Sequence, residues 1–595
     1  MAATTADGFT LAPKVQARLR DHLTVLYGTE RAADCCERLQ QRLEAFGRQY
    51  PNLRAAPAPH HRLSEDDVVL ITYGDQFREP GRPPLQTLAD VLTTTLHGVV
   101  SGVHILPFYP YSSDDGFSVI DYTLVDPQLG SWEDIERLRG SYRLMFDAVI
   151  NHISARSAWF QAFLRGEPGA EARFIVMDPT TDLTQVTRPR TTPLLTPFET
   201  HAGTKYVWTT FSDDQIDLNY ANPDVLLEIV DVLLLYVAHG ASLIRLDAIG
   251  YLWKEVGTRC IHLPQTHRVV QLLRTVLDAV APGVLLITET NVPHADNISY
   301  FGDGTNEAQL VYQFPLAPLV LNAFHSGSAR HLTRWAAGLA VPSATTAFFN
   351  FLASHDGIGV VPASGILSAA EIADLVARAE AHGGHVSYKT NPDGSQSPYE
   401  LNITLFDALS DPHDTTEGLA RKVDRFLAAN AIMLALQGVP GIYVHSLVGS
   451  QNYHEGVRQT GRFRSINREK WERVVFERQL ADPNSRAHAV FVRFADLIRK
   501  RRRERAFHPN GAQRVLAAGD ALFTLLRTSP DGAEQIICAV NVADRPQSLR
   551  LTLQELPQLA GGALIDLVSG EHVEADAHGT LRIELAPYQV AWLKC

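Results

Sequence analysis

Gly240-Ala-Ser-Leu-Ile-Arg-Leu-Asp-Ala-Ile-Gly250 is an apolar run that stops at Arg245 and Asp247. It reads as a β-strand, and in a closed α/β barrel the ends of such strands carry the chemistry. A lone Asp after a strand is more often a helix cap or a turn residue. Three other segments of the same form change that weighting. They are Leu144-Met-Phe-Asp147-Ala-Val-Ile-Asn151-His152, Val284-Leu-Leu-Ile-Thr-Glu289 and Phe348-Phe-Asn-Phe-Leu-Ala-Ser-His355-Asp356. Each is an apolar run that ends in a polar cluster, so carboxylates, histidines and an arginine would gather on one rim.

Working outward, further short apolar runs occur at residues 67–73, 102–107, 309–314, 347–352 and 439–444, with helical intervals between them. Counted with the runs at 144–150, 242–247 and 284–289 they make eight strands. Alternating strands and helices predict a parallel α/β sheet, and eight strands predict a (β/α)8 barrel of the TIM type spanning residues 67–505. Two connections exceed the usual length and predict loop-inserted subdomains on the catalytic rim, at 153–220 after the third strand and 358–411 after the seventh. Beyond Lys500-Arg-Arg-Arg503, read as a solvated helix end, the pattern alternates at period two; residues 506–595 are expected to form a C-terminal β-sandwich. Residues 1–66 are expected to be a helical extension, apolar at Leu19, Leu23, Leu26, Leu39 and Leu43, followed by a linker broken by Pro51, Pro57 and Pro59. Packing on the outside of the barrel is the simplest role for it.

Composition narrows the partners. The 595-residue chain is 45% hydrophobic and 20% charged, with a net charge of −13. An acidic whole argues against nucleic acid or an anionic membrane as the main partner. The N-terminus lacks the basic head and apolar run of a signal peptide, and no apolar stretch is long enough to span a bilayer. Five scattered cysteines suit neither a disulfide framework nor a zinc site, and Cys35 and Cys36 are adjacent, so a reducing cytoplasm is expected.

The set Asp147-x-x-x-Asn151-His152, Arg245-x-Asp247, Glu289 and His355-Asp356 resembles the four signature regions of the α-amylase family of retaining glycosidases and transglycosidases, in order and on the expected strands. Within it the text is most similar to the sucrose phosphorylase branch, through Gly102-Val-His-Ile-Leu-Pro-Phe-Tyr-Pro110, Asp114-Asp-Gly-Phe117, Arg188-Pro-Arg190, His355-Asp-Gly-Ile-Gly359 and Ile466-Asn-Arg468. The resemblance covers nearly all of the chain after residue 66. It departs from the sucrose enzymes at Thr288-Glu-Thr-Asn-Val-Pro-His294 and at Ser397-Pro-Tyr-Glu-Leu-Asn402, where Glu400 replaces an amide. These features, with Ser465-Ile-Asn-Arg-Glu-Lys470 and the N-terminal helices, resemble the glucosylglycerate phosphorylases of that branch. The glucosylglycerol phosphorylases are close relatives.

The resemblance implies a disaccharide-type phosphorylase, a glycosyltransferase, acting on a small-molecule glucoside with inorganic phosphate as co-substrate and no other cofactor. Asp247 would be the nucleophile and Glu289 the acid/base, two carboxyl groups about 5 Å apart as retention requires. Asp356 would stabilise the transition state. Arg245 shares the face of Asp247 and would hold it ionised. The glucose would be held by Asp114, His152, His355 and Arg468, with Phe117 as an apolar platform. Arg190 would meet phosphate, because a forked guanidinium matches its oxygens. Arg188 is its neighbour. Tyr399 and Glu400 would face the acceptor, and Glu400 beside an anionic glycerate poses a repulsion that glycerol would not. Asn151 matches a metal-binding region of calcium-dependent amylases and could equally hydrogen-bond the loop; no catalytic metal is expected. Sucrose or glucosylglycerol phosphorolysis, or hydrolysis and transglucosylation, are the alternatives. The oligomeric state is open, a homo-oligomer included.

Overall fold

The computed structural model describes residues 8–55, 62–391, 393–552, 563–576 and 578–594. Eight strands close into a parallel barrel: β1 (Val69–Thr72), β2 (Gly102–Ile105), β3 (Arg143–Ala148), β4 (Ala241–Leu246), β5 (Leu285–Thr288), β6 (Leu310–Tyr312), β7 (Ala347–Asn350) and β8 (Val439–Tyr443). Six lie within the runs picked out by apolar pattern, and β3 and β4 each begin one residue earlier. They are buried almost throughout, as strands covered by helices on the outside and by packed side chains on the inside must be. Closure is made by β8 against β1, with Gly441 opposite Val69.

The connection after β3 forms a small antiparallel sheet of Val176–Met177, Leu195–Thr200 and Gly203–Trp208. The connection after β7 builds a second from Ile358–Gly359, His385–Thr390 and Gln396–Asn402. The C-terminal region holds a six-stranded sheet and a two-stranded ribbon, Gln547–Thr552 with Thr580–Leu585. Leu549, Leu581 and Leu585 of the ribbon share a core with Ile537, Ala539 and Leu593 of the larger sheet.

The helix Pro13–Gln49 bends at Gly28, where φ is 76°, a backbone angle that favours glycine. It lies on the outside of the barrel against the helices before and after β4. His22 Nε2 is 3.1 Å from Thr275 Oγ1 on the helix Pro264–Val280, and Arg38 pairs with Asp224 at the start of Pro223–Ala238 at 2.7 Å. The linker prolines Pro57 and Pro59 lie outside the described residues, as does Cys595.

The basic run corrects its sequence reading in one position. It ends the helix Arg486–Arg502, but Arg501 is fully buried, not solvated. Its guanidinium donates to the carbonyls of Glu65, Leu434, Gly438 and Phe507 at 2.8 to 3.3 Å. A planar fork of donors satisfies several orphaned carbonyls at once, which makes burial of the cation tolerable. Among the described residues no helix is long and apolar enough to cross a membrane.

Candidate active site

The floor of the site follows from register. Arg245 on β4 lies opposite Asp147 on β3, and Leu246 lies opposite Thr288 on β5. One residue further on, Asp247 and Glu289 therefore leave adjacent strands side by side, where strand spacing is about 4.8 Å. The buried Arg245 ties the group together. Its Nη1 donates to Asp147 Oδ1 at 2.5 Å and to Asp247 Oδ1 at 2.7 Å, and its Nη2 lies 3.9 Å from Glu289 Oε2. Asp147 is held from its other side by His104 Nε2 at 2.7 Å. Directly after Asp247, Ala248 takes a left-handed φ of 47° and aims its N–H at Glu289 Oε2, 3.0 Å away. Such a conformation costs a non-glycine residue about 1–3 kcal/mol and persists only where the surroundings impose it.

The three carboxyl groups at the rim titrate differently. Burial raises Glu289 to about 7, aided by Asp247 and Asp356 and opposed by Arg245. Burial also raises Asp247, opposed by Arg245 and His152. Asp356 goes the other way: burial is overcome by Arg464, His355 and Arg468, which hold it well below the usual aspartate range. A pair of carboxyl groups pushed apart in this way can divide the roles of proton donor and permanent anion.

Around Asp356 the predicted sugar-binding residues converge. His355 Nε2 is 3.3 Å from Asp356 Oδ2, and the His355 ring stacks on Phe117 with centroids 4.7 Å apart. Arg468 donates to the His355 carbonyl at 2.8 Å and reaches Asp115 at 2.6 Å and Asp114 at 3.5 Å. His152 has partners for both nitrogens, Asn151 Nδ2 at 3.2 Å and the Phe117 carbonyl at 2.9 Å. Asn151 turns away from the sugar side. Its Oδ1 accepts from Lys254 Nζ at 2.8 Å, and the same ammonium sits 2.5 Å from Asp217 Oδ2.

At the mouth, Arg190 lies over the ring of Tyr399 at 5.2 Å. Glu400 also lines the pocket, but its carboxylate does not stand free. Arg464 grips both its oxygens, at 2.6 and 2.9 Å through Nη2, and its Nη1 meets Asp356 Oδ1 at 2.6 Å. One partly open pocket, a cavity of about 80 Å³, brings together Asp114, Phe117, His152, Arg190, Asp247, Glu289, His355, Asp356, Tyr399 and Glu400. Arg245 and Arg468 stand behind this wall and act through the carboxylates they hold. Sequence reasoning missed Arg464, His262 and Asn291, which also line it. Arg464 stands four residues before Arg468 in a segment with no periodic signal, and its partners are 64 and 108 residues away in the chain.

The sequence matches the α-amylase catalytic domain over residues 97–361 and the C-terminal domain of maltogenic amylase over 513–592. It is 52% identical over 587 residues to the glucosylglycerate phosphorylase of Allomeiothermus silvanus, covering 98% of this chain and 99% of that one. It is 48% identical to that of Spirochaeta thermophila, covering 97% and 98%. Among solved structures, sucrose 6F-phosphate phosphorylase from Thermoanaerobacter thermosaccharolyticum superposes with a TM-score of 0.71 at 25% identity, covering 88% of this chain and 98% of that one.

Proposed function

The chain belongs to the α-amylase family, and from that premise we infer that it converts 2-O-α-D-glucosyl-D-glycerate and phosphate to α-D-glucose 1-phosphate and D-glycerate, with retention. One observation carries the reading. Identity to glucosylglycerate phosphorylases is 48–52% over 97–98% of this chain and 98–99% of theirs.

Asp247 attacks the anomeric carbon while Glu289, protonated below about pH 7, gives its proton to the departing glycerate oxygen. A β-glucosyl ester on Asp247 results. Phosphate then attacks the same carbon from the vacated side, Glu289 accepts a phosphate proton, and Asp247 leaves. Positive charge developing at the ring is met by Asp356, which Arg464 and Arg468 keep ionised. Arg245 holds the anionic Asp247 that forms and departs. Arg190, in the loop facing Tyr399, receives phosphate.

No metal is needed in this scheme. The buried Lys254 ammonium already pairs with the Asp217 carboxylate and donates to the Asn151 amide oxygen. Cys35, Cys36, Cys260 and Cys538 are buried free thiols, which supports a reducing cytoplasm as the working compartment.

The deciding experiment is phosphate release from α-glucose 1-phosphate with D-glycerate, glycerol, fructose or water alone. Fast release with D-glycerate and slow release with the others is expected. Preference for glycerol or fructose would reassign the acceptor, and equal release in water would make the chain a hydrolase.

A further inference from the structure

Three cations come from loops whose backbones meet at one short segment beside the pocket. The Thr187 N–H donates to the carbonyl of Arg259 at 2.9 Å, which fixes the loop after β4 against residues 187–190. On the other side Arg188 forms an antiparallel bridge with Thr390, next to Lys389 on the hairpin that carries Tyr399 and Glu400. Arg190, which lines the pocket, Arg259 and Lys389 thus come from three different loops whose backbones meet at residues 187–190.

None of the three has a carboxylate within 4 Å among the described residues. Most other arginines near the site are paired: Arg245 with Asp147 and Asp247, Arg464 with Glu400 and Asp356, Arg468 with Asp115. In a chain of net charge −13, a knot of unpaired cations marks a place built to receive an anion. Their fields reach the pocket wall. Burial lifts the Tyr251 hydroxyl, against the positive charges of Arg190 and Arg259. Burial lowers Lys389, and the like charge of Arg259 lowers it further.

Two orphaned polar atoms lie in the pocket that Arg190 lines. His262 Nε2 and Asn291 Oδ1 are buried without partners, and both side chains line the pocket. His262 is held in a left-handed backbone conformation, φ 55°, with Nδ1 on Tyr300 Oη at 2.8 Å. Buried polar atoms without partners await a polar ligand. Glu400 would repel an anion here, but Arg464 neutralises it.

We propose that Arg259 and Lys389, on the outer side of Arg190, bind the carboxylate of the acceptor and so select an anionic hydroxy acid over a neutral polyol. The inference rests on the proposed acceptor chemistry.

Its test is the partition of the glucosyl-enzyme. With α-glucose 1-phosphate as donor, glucose formed measures capture by water, and total phosphate less glucose measures capture by D-glycerate at a fixed subsaturating concentration. Both routes share one intermediate, so damage to the fold or to the first step cancels in the ratio. Arg259→Gln and Lys389→Gln should each lower the glycerate-to-water ratio about tenfold, about 1.4 kcal/mol, and Lys389→Arg should restore most of it. Unchanged ratios would overturn the proposal. So would an equal rise in the phosphate KM and the glycerate KM of each variant, which would make the pair a general anion funnel. If D-glycerate added nothing over water in the unmodified protein, the acceptor reading itself would fail, an outcome distinct from either.

Discussion

The floor and the mouth of the pocket are built on opposite electrostatic plans. At the floor every charge is answered: Arg245 meets Asp147, Asp247 and Glu289, and Arg468 meets Asp114 and Asp115. At the mouth Arg190, with Arg259 and Lys389 on the loops that meet beside it, stands without a carboxylate partner among the described residues, as do those two. The floor fixes a reaction, with its charges placed before substrate arrives. The mouth is left incomplete, and the missing charge belongs to what the protein binds. Between the two runs one bridge, Glu400–Arg464–Asp356, which links the acceptor hairpin to a carboxylate of the floor.

Breaking the floor should cost most. Asp247→Asn is expected to lower turnover by about 10⁴-fold or more, as losses of a catalytic nucleophile do, with no glucosyl-enzyme trapped on rapid acid quench. Glu289→Gln should cost about 10²–10⁴-fold on substrates with poor leaving groups. Since Glu289 titrates near 7 and must be protonated for the first step, kcat/KM for the glucoside should fall as pH rises through that value. That alkaline limb should vanish in Glu289→Gln assayed with α-glucosyl fluoride, whose leaving group needs no proton.

The bridge comes next. Arg464→Met leaves the buried Glu400 carboxylate unpaired and takes from Asp356 its shortest ion pair, which costs about 3–5 kcal/mol of stability, read as a fall in Tm. The pKa of Asp356 should rise in it, and activity should fall most at low pH, where Asp356 takes up a proton. Adding Glu400→Gln to that variant should recover part of the Tm, and a strictly additive double mutant would deny the coupling. The mouth should respond least. Arg190→Ala is expected to weaken phosphorolysis about tenfold to a hundredfold, from the loss of a charge-assisted contact, while hydrolysis of the glucosyl-enzyme falls less. Equal losses in both would place Arg190 with the sugar or the fold.

How far the sequence could be read follows the same division. The barrel was legible because each strand is short, apolar and bounded by helical intervals, and the floor was legible because its side chains stand at strand ends where chain order and spatial order agree. Arg245 and Asp247, two residues apart on one strand, are the clearest case. The bridge was not legible. Glu400 read as an acceptor contact with an awkward charge, because no periodicity links a hairpin residue to Arg464, 64 positions on. Arg501 was misread for a similar reason: a basic run at a helix end is ordinarily solvated, and only the fold places four carbonyls around one of its members. The buried Lys254 gave no signal for the same cause, since Asn151 and Asp217 reach it from distant segments.

Closure of the barrel sets a timetable for synthesis. β1 cannot complete its pairing until β8 exists, because Val69 meets Gly441, roughly 370 residues later and about 20–75 s at ~5–20 residues per second on a ribosome. For that interval one edge of β1 is unpaired, an open template for the wrong strand. The helix Pro13–Gln49 waits as well, since its partners flank β4 and emerge long after it. Arg501 comes later still, and the carbonyls it gathers, from Glu65 to Phe507 six residues after it, join the residues just before β1 to the end of the barrel like a latch that can be set only once. Nascent chains stalled before and after residue 510 would therefore differ sharply in resistance to proteolysis, with protection of the first strand appearing only in the longer ones.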